Sequence, residues 1–101
     1  MVNVRSRKKN SLVVEIMGEL DHHHANQIKF ELDELLYDPS VKELVLDLNN
    51  LKFMDSSGIG VIIGRYKTVK SRNGNVYVTN VNETVSKLLD LAGLYKIIKR
   101  K

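Results

Sequence analysis

The sequence predicts an α/β fold: a mixed, mostly parallel sheet opened by an N-terminal β-hairpin, with three main helices packed mainly on one side. Three observations lead there. Short runs of branched apolar residues alternate with stretches of helical period after the first two runs, the pattern of strand–helix–strand units. Such units cross over right-handedly and make parallel neighbours, whereas the first two runs are too close together for anything but a hairpin. Finally, 101 residues with 43% hydrophobic and 28% charged residues suit one domain, spanning 1–101, too small to cover both faces of its sheet.

Each element has its own signal. Val2 to Arg7 alternates apolar and polar residues, Lys8-Lys9-Asn10-Ser11 supplies turn chemistry, and Leu12 to Met17 returns as the second strand. Gly18 ends it, and Glu19 to His24 reads as a polar connection. From Ala25 the apolar residues Ile28, Leu32, Leu35 and Leu36 share a helical stripe, with Asp21 or His22 in the capping region. That helix stops by Asp38, because Pro39 disfavours helical geometry in the residue before it. Lys42 to Leu48 is the central strand. A helix then runs from about Ser57 to Lys70 on the stripe Ile59, Ile62, Ile63, Tyr66 and Val69, and Asn73-Gly74 ends it. Val76 to Val81 is a strand. Asn82-Glu83-Thr84 opens a third helix on Val85, Leu88, Leu89 and Ala92, which Gly93 closes. Tyr95 to Ile98 is a short last strand or a packed tail. In this topology Glu19–His24, Asn49–Ser57 and Asn80–Asn82 gather at one end of the sheet, where function in α/β folds collects.

Composition narrows the chemistry. With no cysteine there is no disulfide, thiol nucleophile or cysteine-ligated metal. The apolar runs are far shorter than the roughly 20 residues of a membrane span, and no leader pattern opens the chain, so a soluble cytoplasmic protein without a membrane partner is expected. The net charge of +4 is crowded at Arg5, Arg7, Lys8, Lys9 and at Lys96, Lys99, Arg100, Lys101. No recognition motif or aromatic platform accompanies these clusters, so direct nucleic-acid binding is not expected.

The stretch Met54-Asp55-Ser56-Ser57-Gly58-Ile59-Gly60 joins the central strand region to the second helix. A serine hydroxyl there can cap the helix, and a negative group would meet the positive end of its dipole. The usual enzyme motifs fail. A nucleophile elbow needs glycine where Met54 or Asp55 stands. A P-loop needs its second glycine where Ile63 or Arg65 stands, and the dinucleotide fingerprint meets Ile63 in place of its third glycine. Gly60 and Gly64, four apart, serve either close packing within the chain or a smooth surface for another protein. His22, His23 and His24 are consecutive, so they point apart and a metal site is not expected. Asp21 and Asp55 make at most a weak acid–base pair. Ser56 therefore either caps the helix with Ser57 or is itself modified. A phosphate would add about −1.5 to −2 charges and repel an acidic or apolar partner surface.

These residues also carry a resemblance. Gly18-Glu19-Leu20-Asp21-His22-His23, the run from Phe53 to Lys67 and Gly93-Leu94-Tyr95-Lys96-Ile97-Ile98 resemble the anti-sigma factor antagonists of the STAS domain class. Within that class the similarity is to those directed at the anti-sigma F factor of spore-forming bacteria. The resemblance implies a STAS-like fold and a regulatory role without catalysis. The unphosphorylated form would bind an anti-sigma factor that is also a serine kinase and so release a sigma factor for sporulation transcription. Phosphorylation of Ser56 would end that binding, and a PP2C-type phosphatase would restore it. Asp21, Asp55, Ser57, Gly58, Ile59, Gly60 and Gly64 would form the partner surface of a chain that is monomeric when free, with no cofactor of its own. The alternatives are an antagonist in a stress-response circuit, a STAS interaction module without a phospho-switch, and an enzyme using Ser56 as nucleophile.

Overall fold

The computed structural model describes residues 1–101. Strands β1 (Val2–Lys8) and β2 (Ser11–Ile16) form the antiparallel hairpin, with a bulge between Val4 and Ser6. Then follow β3 (Gly18–Leu20), α1 (Ala25–Leu35), β4 (Glu43–Asp47), β5 (Leu51–Met54), α2 (Ser56–Lys70), β6 (Asn75–Thr79) and α3 (Glu83–Leu91). A 3₁₀ turn (Leu94–Lys96) and β7 (Lys99–Arg100) close the chain. The main sheet has the order β1-β2-β4-β6-β7, parallel from β2 onward. Each crossover steps one strand in the same direction. Right-handed connections that all step the same way place their helices on the same face, which accounts for the one-sided architecture.

The pleat sorts the side chains accordingly. Leu12, Leu44 and Val76 lie in register across β2, β4 and β6, as do Val14, Leu46 and Val78, and all six belong to the core of 22 buried residues beneath the helices. On the other face Val13, Val45 and Tyr77 lie in register. Val45 is buried there by neighbouring side chains instead of a helix, and the Lys101 ammonium sits 4.8 Å from the Tyr77 ring centroid. The central strand is thus apolar on both faces although helices cover only one.

The structure departs from the sequence expectations in three places. Glu19–His24 and Asn49–Ser57 are not simply loops: each contains a short strand, and β3 and β5 pair in parallel as a separate two-stranded sheet. Gly18, at φ +84°, provides the sharp departure from β2 that makes the pairing possible. Tyr95–Ile98, expected as a short last strand or a packed tail, is not a strand: a 3₁₀ turn covers Leu94–Lys96 and the last strand is Lys99–Arg100. Leu94 and Ile98 are both buried, and a spacing of four suits a turn of helix better than an alternating strand.

The third departure concerns α2. The expected stripe does face the core, with Ile62 and Val69 buried and Ile59, Ile63 and Tyr66 packed against it, but the most buried face also takes in Gly58, Val61 and Arg65. The helix is therefore turned so that a glycine and an arginine face inward. Arg65 reaches α1, its Nε 3.0 Å from Asp33 Oδ1. At the other end of α2, the Arg72 guanidinium donates to the carbonyls of Leu36, Asp38 and Val41, tying the α1–β4 connection to the helix.

Candidate functional site

The two short strands define the site. β5 ends on Met54, whose side chain is in the core, and the Asp55 N–H donates to the Leu20 carbonyl of β3 at 3.3 Å. Asp55 is extended (φ −120°, ψ −169°), and α2 begins at the next residue. One carboxylate oxygen of Asp55 accepts the Ser57 N–H at 2.8 Å, the bond that caps the helix. The other accepts the His22 N–H at 3.1 Å and lies 3.5 Å from the His22 ring Nδ1. Asp55 thereby ties the β3–α1 loop to the start of α2.

This settles one of the alternatives left open by the sequence. The N-cap is Asp55, so neither serine performs that role. Ser57 contributes its backbone N–H and is half-buried, whereas Ser56 is exposed at the first helical position.

Asp21 is buried, and its Oδ1 accepts the N–H groups of His23 and His24, each at 3.1 Å, and meets the His24 Nδ1 at 2.7 Å. Asp21 and Asp55 thus serve separate sets of donors and do not make an acid–base pair. His22 turns to Asp55 and His24 to Asp21, whereas the His23 ring lies against that of His22, their centroids 4.0 Å apart. The ligand atoms that do converge, within 4.8 Å of one another, belong to Glu19, Asp21 and His24, and the sequence reading had not included Glu19. The His24 ring bond holds the Asp21 carboxyl below its ordinary value, against the upward push of burial. Burial likewise pushes the Asp55 carboxyl up, but bonds from the His22 and Ser57 N–H groups and the His22 ring more than offset it. Both groups are carboxylates at neutral pH, and Asp55 puts its charge at the positive end of the α2 dipole.

The three glycines of α2 have different surroundings. Gly58 is buried beneath β3: a methyl group there would collide with the Leu20 carbonyl oxygen and with the Leu20 and Met54 side chains. It offers a partner no side-chain contact and acts by letting α2 start close under the strand. Gly60 is exposed and Gly64 half-buried, and a Cβ added at either would meet nothing. Close packing within the chain, one of the two uses open to them, is therefore excluded. Ser56, Gly60, Gly64 and Lys67 follow one another at helical spacing and line the outward side of α2, with Ile59 and Ile63 partly exposed at its flank while packing on the core. Phe53, which the sequence reading did not single out, stands 48% exposed on β5.

Residues 2–101 match the family described as the STAS domain, and the chain belongs to that family. Its relatives within the family are anti-sigma factor antagonists. The anti-sigma F factor antagonist of Paenibacillus polymyxa is 46% identical over 87 residues, 86% of this chain and 74% of the relative. The anti-sigma-B factor antagonist of Bacillus subtilis is 33% identical over 92 residues, 91% of this chain and 83% of the relative. Among solved structures, the Bacillus cell fate determinant SpoIIAA in its phosphorylated form matches with a TM-score of 0.76 at 26% identity, covering 100% of this chain and 91% of that one. No helix here is long and apolar enough to cross a membrane.

Proposed function

We propose that this chain is an anti-anti-sigma factor of the cytoplasm, switched by phosphorylation of Ser56. In the unphosphorylated state it binds an anti-sigma factor that is also a serine kinase, and the sigma factor displaced by that binding is free to direct sporulation transcription. The observation that carries the reading is the division of labour at the start of α2. Asp55 caps the helix, so Ser56, exposed beside it, is available as phosphoacceptor without loss of structure.

The kinase supplies ATP and its metal ion. The Ser56 Oγ–phosphorus bond forms as the bond to the leaving ADP breaks, and the hydroxyl loses its proton. The product carries about −1.5 to −2 additional charges next to the Asp55 carboxylate, facing a kinase site that still holds ADP. Charge repulsion and the cost of desolvating the phosphate favour release. Hydrolysis by a PP2C-type phosphatase returns the serine and inorganic phosphate. Asp21, Asp55 and Ser57 shape the surface from below, and Ile59, Gly60 and Gly64 extend it along the helix. The relative at 46% identity is an anti-sigma F factor antagonist, which supports the sporulation circuit over a stress-response circuit.

The test is to incubate the chain with the anti-sigma factor kinase and ATP and to locate phosphate by mass spectrometry. Phosphate on Ser56, loss of kinase binding in Ser56→Asp, and a folded, binding-competent but unmodifiable Ser56→Ala are expected. An unmodified Ser56, or Ser56→Asp that binds as well as the parent chain, overturns the proposal.

A further inference from the structure

Most of the large apolar side chains that the fold leaves exposed, among them Phe30, Tyr37, Leu91 and Ile97, lie on other elements; Phe53 alone stands on the strand that leads into Ser56. Its strand cannot shift to hide it. Leu51 and Met54 on either side are buried in the core, Phe53 is paired in register with Glu19 of β3, and the Leu51 carbonyl accepts a bond from the Asn82 side chain at 3.0 Å. Three residues of extended chain put Phe53 within about 10 Å of Ser56. On α2 beside the serine, Gly60 is exposed and open, and Ile59 packs on the core with part of its side chain at the surface.

Resting on the phospho-switch reading above, we propose that the contact with the serine kinase is apolar around the phosphoacceptor. Its anchor is Phe53, which enters an apolar pocket of the kinase beside the nucleotide. Aromatic side chains held rigidly at the centre of a contact carry a disproportionate share of binding. The arrangement also explains how one added phosphate can release a partner that already tolerates the Asp55 carboxylate. Asp55 is satisfied by donors of its own chain, whereas a phosphate on exposed Ser56 would bring its charge against apolar groups beside the bound ADP.

The test is calorimetric titration of the nucleotide-bound anti-sigma factor kinase with the parent chain, Phe53→Ala, Phe53→Leu and, as a control, Tyr37→Ala, which is 89% exposed at the far end of α1. Phe53→Ala is expected to weaken binding about 10- to 100-fold, Phe53→Leu to recover most of it, and Tyr37→Ala to leave it unchanged. In the phosphorylation assay Phe53→Ala should raise KM and leave kcat intact, which a merely structural role would not do. Equal affinity of Phe53→Ala and parent chain, or a fall in kcat as large as the rise in KM, overturns the inference while leaving the switch standing. A parent chain that does not bind the kinase overturns both.

Discussion

Gly58, Gly60 and Gly64 stand on one helix, yet substitution of each by alanine is expected to act differently. At Gly58 a methyl group meets backbone oxygen and core side chains, so Gly58→Ala should destabilise by about 1–3 kcal/mol and displace the start of α2. At Gly60 and Gly64 the space is open and the backbone helical, so alanine should stabilise by about 1 kcal/mol at each. If the outward face of α2 meets the kinase backbone closely, the same methyl groups should weaken binding. Urea unfolding and kinase titration on the same variants read the two effects, and opposite signs at Gly60 and Gly64 are expected. These distinctions are beyond a sequence reading, because the motif contains three glycines and the environment of each depends on which face of the helix turns inward. Arg65 has the same lesson. It breaks the apolar stripe in sequence and is buried in the fold, where Asp33 of α1 lies beside it.

The helices were legible because their signals are local. Asn82 was expected to open α3, and it does so by accepting the Val85 N–H at 2.8 Å. Its amide also donates to the Leu51 carbonyl of β5, so one side chain both starts a helix and pins the strand that leads to Ser56. Asn82→Ala should therefore cost more than a simple cap, about 2 kcal/mol by urea unfolding, against about 1 kcal/mol for a cap alone. The strands β3 and β5 were not legible. Each is too short to show a period, and what makes them strands is their pairing with each other across more than thirty residues of chain. That Glu19–His24, Asn49–Ser57 and Asn82 gather at one end of the sheet was legible, and His22 bonds Asp55 and Asn82 bonds Leu51 there. Which residue caps α2 could not be decided from the sequence, since aspartate and serine are both good caps and stand side by side.

For the molecule as a whole, the depressed carboxylates set how it meets acid. The Asp38 carboxyl is lowered to about 2 by the Ser40 N–H first and by Arg7 of β1 with it, and those of Asp21 and Asp55 are lowered as well. A carboxyl whose value is lower folded than unfolded binds fewer protons in the native state. Its stabilisation is complete above the unfolded value near 4 and fades as pH falls toward 2. The melting temperature is thus expected to fall steeply between about pH 4 and 2. Asp38→Asn should lower it at neutral pH and flatten the acid limb, the two curves converging near pH 2. Circular dichroism melts across that range check the sign, and a parallel downward offset at every pH would contradict it.

The pairing of β3 with β5 has a last consequence. It holds Ser56 on a surface with a definite shape, bounded on one side by the histidine loop and on the other by the third helix, before any partner arrives. Kinases that read flexible peptides recognise a string of residues in order, and they can be misled by any chain that copies the string. On the phospho-switch proposal, the recognised object is a relief assembled from remote parts of the chain. Local unfolding would erase it even with every residue of the motif intact. The integrity of the fold and the fidelity of the signal are then one property, so a misfolded copy is silent instead of misleading.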